Sequence, residues 1–507
     1  MTKAFYVTTP IYYANSEPHV GTAYTSIVAD VLARYHRLRG EEVFFLTGTD
    51  EHGQKIFRAA KEQGLTPKAL ADQLCPKFKE LTPTLSLTND HFIRTTDPAH
   101  EHAVKTLFSR LIASGDVYKG QYKGWYCTGC EGYVDAPADA KPTCELHGAV
   151  DWLEEENYFF RLSKYRDRIL AHFKANPGFV EPTSRYNEVL NRIKGGLEDV
   201  SVSRSSFDWG VPLPGDEKHV IWVWFDALIN YISGVGFPDD PERFARHWPA
   251  DVHLVGKDII WFHSVIWPCM LIAAGIEPPR KVYAHGWWTV NGDKISKTKG
   301  NVVYPRDVTA KYGVDPLRYF MLRELPFGLD GDFSLTAFTR RYNSDLGNDL
   351  GNLVNRVLAL VEKHFGGVVP EQGAYEPVDA ALRATFEAVV PRYEETLGRY
   401  EFSLTLEEIW KAVRHANAYV DQTKPWTLAK DPANRGRLGT VLGALCEGLR
   451  ELSCLLAPFL PNVSEGIRRQ IGAEGPVRLP GDLAWGGLAA GTRIAKGAPL
   501  FPRVDAP

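Results

Sequence analysis

The 507-residue chain has no apolar run near the ~18 residues that a membrane span needs. Its longest greasy stretch, residues 452–460, is short and interrupted by Pro458. The opening segment, MTKAFYVTTP, lacks a basic stretch followed by an apolar core, which argues against a secretory signal. Neither sign of charge dominates: 58 Lys and Arg face 62 Asp and Glu, so no bulk basic field marks a nucleic-acid binder. The seven cysteines are an odd number, which speaks against a disulfide framework. No internal repeat and no long low-complexity linker is present. There is also no GxxxxGK[ST] and no GxGxxG after a strand, so any nucleotide must be held by other elements.

What remains is an ordinary globular composition, 44% apolar and 24% charged. At ~150 residues per domain the length predicts about three domains. The first ~115 residues alternate between strand and helix. Phe5-Tyr6-Val7 reads as a short strand. Ala23, Ile27, Val28, Val31, Leu32, Tyr35 and Leu38 then recur at helical spacing, with Gly40 placed to end the helix. Val43 to Leu46 is a buried-strand run, so a βαβ start and a parallel sheet are expected. From 118 to 220 the periodicity weakens, as in an insertion. Strand–helix texture returns at 219–225, 252–255 and 282–285. Beyond about 345 the pattern is helical. Leu353, Val357, Leu360, Val361 and His364 form one stripe. Leu404, Ile409, Val413 and Val420 lie in a second helical segment, and Leu438 to Leu452 give a third stripe. The last ~30 residues, rich in Gly, Ala and Pro, are expected to wrap the surface.

Cys127 and Cys130 are followed by Cys144 and His147, two ligand pairs each with two intervening residues. That double spacing suits one tetrahedral Zn2+, and four protein ligands fill its sphere, so the site reads as structural. A redox Cys-x-x-Cys would leave the second pair without a role. Thiol-rich metal chemistry also points to a reducing compartment. The other cysteines read as small core residues.

Two elements suit a nucleotide. Pro18 to Thr22 lies where the first long helix begins, and a helix N-terminus attracts phosphate. His19 offers a hydrogen bond to phosphate oxygens, and Gly21 would let a flat base lie against the backbone. Far along the chain, residues 294–301 hold three lysines, two hydroxyls and a Gly, a cationic loop suited to charge developing on a transferred phosphoryl group.

His19-Val20-Gly21-Thr22 resembles the HIGH signature of class I aminoacyl-tRNA synthetases, and Lys294-Ile295-Ser296-Lys297-Thr298 resembles their KMSKS loop. The segments VTTPIYY at 7–13, TGTDEHG at 47–53, VWFDA at 223–227, GKDI at 256–259 and FHS at 262–264 are similar to methionyl-tRNA synthetases over nearly the whole chain. A zinc knuckle within an insertion fits that family too. The implied fold is α/β: a Rossmann-type parallel-sheet catalytic domain with a zinc-knuckle insertion, followed by an all-α C-terminal anticodon-binding bundle. The expected boundaries are 1–117 and 221–288 for the catalytic halves, 118–220 for the insertion, 289–350 for the KMSKS-loop junction and 351–507 for the bundle.

The resemblance implies ATP-dependent ligation of L-methionine to tRNA(Met), initiator and elongator, through methionyl-adenylate. Mg2+ would accompany ATP. It implies catalytic roles for His19, Lys294 and Lys297. ATP contacts are expected at His19, Gly21, Thr22, Asp258, Lys294, Ser296, Lys297 and Thr298, with Arg204 nearby. Asp50 would hold the substrate amine, helped by the Ile11 backbone. Tyr13, Trp224, Ala227, Leu228, Tyr231, His263 and Trp267 would form the side-chain pocket, where a polarizable thioether meets aromatic edges. Asn352, Arg356 and Trp426 match anticodon readers, suited to splayed bases by their chemistry. A cytoplasmic monomer without membrane contact is expected. Two departures stand out: Thr22 replaces the second His of HIGH, and Ile295 and Thr298 replace Met and the last Ser of the loop. Residues 351–507 carry 18 Lys/Arg and 18 Asp/Glu, so RNA recognition there cannot rest on net charge. The competing readings are a synthetase for another large aliphatic amino acid, a non-catalytic RNA-binding paralogue, and a zinc-binding nucleotidyltransferase.

Overall fold

Seven parallel strands form the sheet that the opening alternation predicts. They are β1 (Phe5–Thr8), β2 (Tyr12–Tyr13), β3 (Val43–Asp50), β4 (His91–Arg94), β5 (Val180–Glu181), β6 (Val252–Gly256) and β7 (Val282–His285). The structure, a computed structural model, describes residues 3–504 apart from 131, 135, 146, 296–299 and 474. By internal contacts the chain divides into two compact units. One comprises Met1–Pro18, Glu42–Thr82 and Thr88–His285; the other comprises His19–Glu41, Pro83–Leu87 and Gly286–Pro507.

The sheet belongs to the first unit, in the order β5-β7-β6-β1-β3. On the far edge of β3 lies β4, while β2 continues the line of β1 along it (Thr8↔Leu46, Tyr12↔Thr49). β3 is buried along nearly its whole length, as expected of a central parallel strand covered on both faces. Gly48 lets β4 approach, since a Cβ there would stand 2.1 Å from the Ile93 carbonyl oxygen. β1 sits between β3 and β6, where the strand order reverses. Open α/β sheets bind ligands at such a point, beyond the carboxyl ends of the strands. Asp50 and Gly256 mark two of those ends.

Strands Val117–Cys127 and Asp151–Phe160 form a long antiparallel hairpin that carries the cysteine segment at its tip. The segment 118–220 is not insertion throughout. β5 returns to the central sheet, pairing with β7 (Val180↔Val282), between helices Arg166–Ala175 and Thr183–Gly195. Two residues are too few to leave an alternating pattern in the sequence.

Helices dominate the second unit, as the later periodicity predicts. Arg435–Leu456 is buried almost continuously from Leu438 onward, so it reads as apolar around much of its girth. Leu404 lies in helix Phe402–Thr423, as expected, and is 40% exposed; Phe402 and Leu406 take the buried positions. The C-terminal segment is tied down along the bundle. Glu447 accepts from the backbone N–H groups of Gly486, Gly487 and Leu488, and Val369 donates to Thr492. Arg318 is wholly buried. It pairs with Asp30 at 2.8 Å and donates to the carbonyls of Phe459, Pro458 and Leu85.

Candidate active site and metal centre

The four candidate metal ligands converge as the spacing predicts. The sulfurs of Cys127, Cys130 and Cys144 and a ring nitrogen of His147 all lie within 4.8 Å of one another. Cys130 Sγ is 3.5 Å from Cys144 Sγ and 3.2 Å from His147 Nδ1, which stands 3.7 Å from Cys127 Sγ. Tetrahedral Zn2+ with thiolate and imidazole ligands places its donors roughly 3.5–3.8 Å apart, so this donor set fits the ion. The turn is shaped for it: the Cys130 N–H donates to Cys127 Sγ, and a Cβ on Gly129 would collide with the His147 ring at 2.4 Å.

The expected amino-acid pocket lies in the same unit. Tyr13 and Asp50 are register partners at the ends of β2 and β3, and Asp50 is buried. Trp224, Ala227 and Leu228 sit on the buried helix Val223–Leu228. His263 and Trp267 follow β6 on a helical stretch, and Tyr231 bridges toward them. Its ring is 5.6 Å from His263 and 6.1 Å from Trp267, while Tyr13 meets Trp224 edge-on at 6.4 Å. Ile11 packs against the same core.

Protons in this pocket can be placed. His263 Nδ1 lies 2.9 Å from the Ile259 carbonyl, so it carries the hydrogen. Nε2 therefore accepts from the Tyr231 hydroxyl at 2.7 Å. Burial pushes the His263 pKa down to about 4, so the ring is neutral near pH 7. Three neighbours escaped the sequence reading. Phe262 stacks on Trp224 at 3.9 Å and 2°. His253 stacks under Tyr231 at 4.1 Å, with Nδ1 2.8 Å from Thr8 Oγ1. The backbone of Cys130 accepts from the Trp224 indole N–H. Phe262 lies in the quoted FHS segment and Cys130 in the cysteine pairs, but all three contacts are tertiary and leave no local motif.

The first phosphate element belongs to the second unit. His19 caps helix Val20–Leu38, and its Nδ1 accepts from the Gly21 N–H at 3.1 Å. That bond fixes the tautomer and leaves Nε2–H as the ring's donor. Burial lowers the His19 pKa, so it donates as a neutral imidazole. The helix start is not an open row of N–H groups, as the sequence reading pictures it. Val20 already donates to the Val303 carbonyl at 3.0 Å, and Gly21 to His19. The side chains of His19 and Thr22 stand in this first turn. Gly21 has a second reason for its identity: a Cβ would stand 2.9 Å from His19 Cε1. Lys294 ends a short strand whose backbone pairs with Thr289. Ser296, Lys297 and Thr298 lie outside the described residues.

Asp258 is exposed just past β6, over Gly256, where a Cβ would meet its carboxylate at 2.6 Å. Arg204 is buried. Its guanidinium lies 4.9 Å from the Tyr126 ring and donates to Ser201 and Ser203.

On the helical unit, Asn352 and Arg356 occupy one face of helix Asn352–Phe365, four residues apart. The Arg356 guanidinium lies 5.8 Å from the Trp426 ring and donates to Asp421 at 2.8 Å. Trp426 is 43% exposed, unusual for a tryptophan and suited to stacking on a base.

Residues 5–139 and 134–358 match the family model "tRNA synthetases class I (M)", and 369–506 match "Anticodon binding domain of methionyl tRNA ligase". A methionine–tRNA ligase of Caldanaerobacter subterraneus subsp. tengcongensis is 49% identical over 507 residues, covering 100% of this chain and 80% of that protein. One from Thermotoga maritima is 47% identical, covering 99% and 80%. Among solved structures, Mycobacterium tuberculosis methionyl-tRNA synthetase in complex with methionyl-adenylate superposes with a TM-score of 0.96 at 43% identity, covering 99% of this chain and 100% of that one.

Proposed function

The chain belongs to the class I methionyl-tRNA synthetases, and from that premise we propose how its residues divide the work of a methionine–tRNA ligase. The reaction joins methionine to tRNA through methionyl-adenylate at the expense of ATP. A methionine carboxylate oxygen attacks the α-phosphorus, and the bond to pyrophosphate breaks. A hydroxyl of the tRNA terminal ribose, the 2′-hydroxyl first in a class I enzyme, then attacks the acyl carbon and AMP departs. No covalent enzyme intermediate is needed, so catalysis rests on positioning and charge stabilisation.

One observation carries the choice of amino acid: the Tyr231 hydroxyl donates to His263 within a pocket walled by Trp224 and Trp267. The hydroxyl hydrogen is committed to His263, so this part of the wall offers soft aromatic surface and a Tyr oxygen. A thioether suits it, because polarizable sulfur favours aromatic edges. Asp50, with the Ile11 carbonyl, would receive the ammonium group. Tyr13, Ala227 and Leu228 complete the side-chain lining.

On the phosphate side, His19 donates through Nε2–H, Thr22 supplies a hydroxyl in place of the family's second imidazole, and Gly21 leaves the ring of His19 room. Lys294 and Lys297, with Ser296 and Thr298, would meet the charge developing on pyrophosphate. Asp258 would contact the ribose. Mg2+ enters as Mg–ATP, with substrate. Cys127, Cys130, Cys144 and His147 would hold one Zn2+, which braces the loop and supplies no reaction chemistry. Asn352, Arg356 and Trp426 would read the anticodon of both initiator and elongator tRNA.

The same reading assigns the catalytic halves to 1–117 and 221–288 together with β5, the rest of 118–220 to the insertion, the loop junction to 289–350 and the bundle to 351–507. It also makes the enzyme a cytoplasmic monomer. Among the described residues no helix is long and apolar enough to cross a membrane. ATP–pyrophosphate exchange with each amino acid tests the central reading, with Lys297→Ala as control. Exchange driven by methionine and abolished in the variant is the expected result. Exchange driven by another amino acid, or none, overturns it. Light scattering on the eluted peak tests the monomer.

A further inference from the structure

Asp226 is wholly buried, and both its carboxylate oxygens are bonded to histidines. Oδ2 lies 2.7 Å from His52 Nδ1 and Oδ1 lies 2.8 Å from His100 Nε2. A carboxylate only accepts, so both ring nitrogens carry hydrogens toward it. His100 Nδ1 then accepts from Ser233 Oγ at 2.8 Å. Burial alone would raise the Asp226 pKa, but His52 and His100 beside it prevail and hold it below the usual carboxylate range.

The places these residues occupy are not scattered. His52 stands two positions past Asp50. Asp226 lies two past Trp224 and directly before Ala227 and Leu228. Ser233 is two past Tyr231. The node therefore ties the strand end bearing the proposed ammonium anchor to the helix and turn bearing the proposed side-chain pocket, elements 174 residues apart in sequence. The strand end is braced on its other side as well. Glu51 accepts from Arg94 at 2.7 and 2.9 Å and from the hydroxyls of Thr49 and Thr96, while Trp209 donates to the Glu51 carbonyl and packs edge-on against His52.

Methionine carries its ammonium and its thioether on one short molecule. A site that grips both must hold two separate elements at a fixed spacing, and small misplacements there are costly. A buried ionic node is seldom favoured over apolar packing for stability alone. We propose that Asp226 is a positioning residue for the amino-acid substrate, setting through His52 the distance from Asp50 to the pocket wall at Trp224, Ala227 and Leu228. This rests on the methionine-site assignment made above.

The test is ATP–pyrophosphate exchange with methionine, with its isostere norleucine and with its longer homologue ethionine, for Asp226→Asn, His52→Ala and His52→Asn. In Asp226→Asn an amide N–H faces a ring N–H. In His52→Asn the amide N–H replaces the lost ring donor. Asp226→Asn and His52→Ala should raise KM for methionine about tenfold or more while KM for ATP holds, and narrow discrimination against the analogues. The double variant should be no worse than either alone, and His52→Asn should restore most of the loss. Unchanged KM for methionine in a variant that merely melts earlier overturns the proposal. If Asp226→Asn does not fold, His52→Ala against His52→Asn decides alone. Asp50→Asn separates the two levels. If it leaves methionine KM unchanged, the site assignment fails; if it raises KM while the Asp226 and His52 variants do not, only the positioning role fails.

Discussion

The indole N–H of Trp224 donates to the backbone carbonyl of Cys130 at 3.1 Å. A wall of the proposed methionine pocket is thereby bonded to a residue of the candidate metal site. Phe262, flat against Trp224, also comes within 3.9 Å of where a side chain on Gly132 would begin. The candidate metal loop thus touches both of these stacked aromatics.

This connection predicts that stripping the ion with a chelator weakens methionine binding in the absence of ATP. Trp224→Phe keeps the ring contact but deletes the donor, at a cost of about 1 kcal/mol, roughly fivefold in affinity. Calorimetric titration with methionine measures both. Chelation should add little to the loss already present in Trp224→Phe. Full additivity would mean the knuckle acts on the pocket by another route.

His263 predicts a pH dependence. Its folded pKa, pushed down by burial, is about 4, against 6.5 for the free side chain. The unfolded chain binds the extra proton between those values, so stability rises with pH across that window. The contribution is fully present above pH 6.5 and lost as pH falls toward 4, worth about 3 kcal/mol in all. Urea unfolding of the wild type and His263→Gln from pH 7.5 to 4.5 checks it. The gap between them should narrow steadily below pH 6.5.

Much of this was legible because it was local. The apolar run from Val43 is a strand because both its faces are covered, and the cysteine pairs carry their own spacing. The signature residues adjoin one another in sequence, so family resemblance could assign them. What stayed hidden depends on distant partners. β5 is two residues long and takes its strand character from β7. Asp226 reads as one acid in an apolar motif until His52 and His100 close on it. The start of helix Val20–Leu38 looked like an open phosphate cradle, and only the structure shows Val20 spent on Val303. Leu404 lies in the helical segment expected of it, yet it faces outward, because a helical pattern does not fix the depth of each apolar residue.

Arg318 offers a stability prediction within the second unit. Its guanidinium satisfies Asp30 and three backbone carbonyls at once, a fork that an ammonium group cannot reproduce. Arg318→Lys should therefore cost on the order of 3 kcal/mol, chiefly through carbonyls left buried without donors. Asp30 keeps Arg34, whose Nε lies 2.7 Å away, so that partner softens the loss but does not remove it. A shift of the urea midpoint reports the effect. No shift would mean that Pro458 and Phe459 find other donors.

Trp426 separates the two halves of the reaction. Its exposed ring, with Arg356 against it, is proposed to serve anticodon reading and not adenylate formation. Stacking of a base on an aromatic side chain is worth about 1–3 kcal/mol, so Trp426→Ala should lower kcat/KM for tRNA charging by roughly 5- to 150-fold. Methionine-dependent pyrophosphate exchange should stay unchanged, and Trp426→Phe should recover most of the charging. Salt sharpens the assignment. With 18 basic and 18 acidic residues in 351–507, few phosphates are neutralised there, so tRNA affinity should fall only gently as ionic strength rises. A steep decline, little altered by Trp426→Ala, would shift recognition from base contacts to the phosphate backbone.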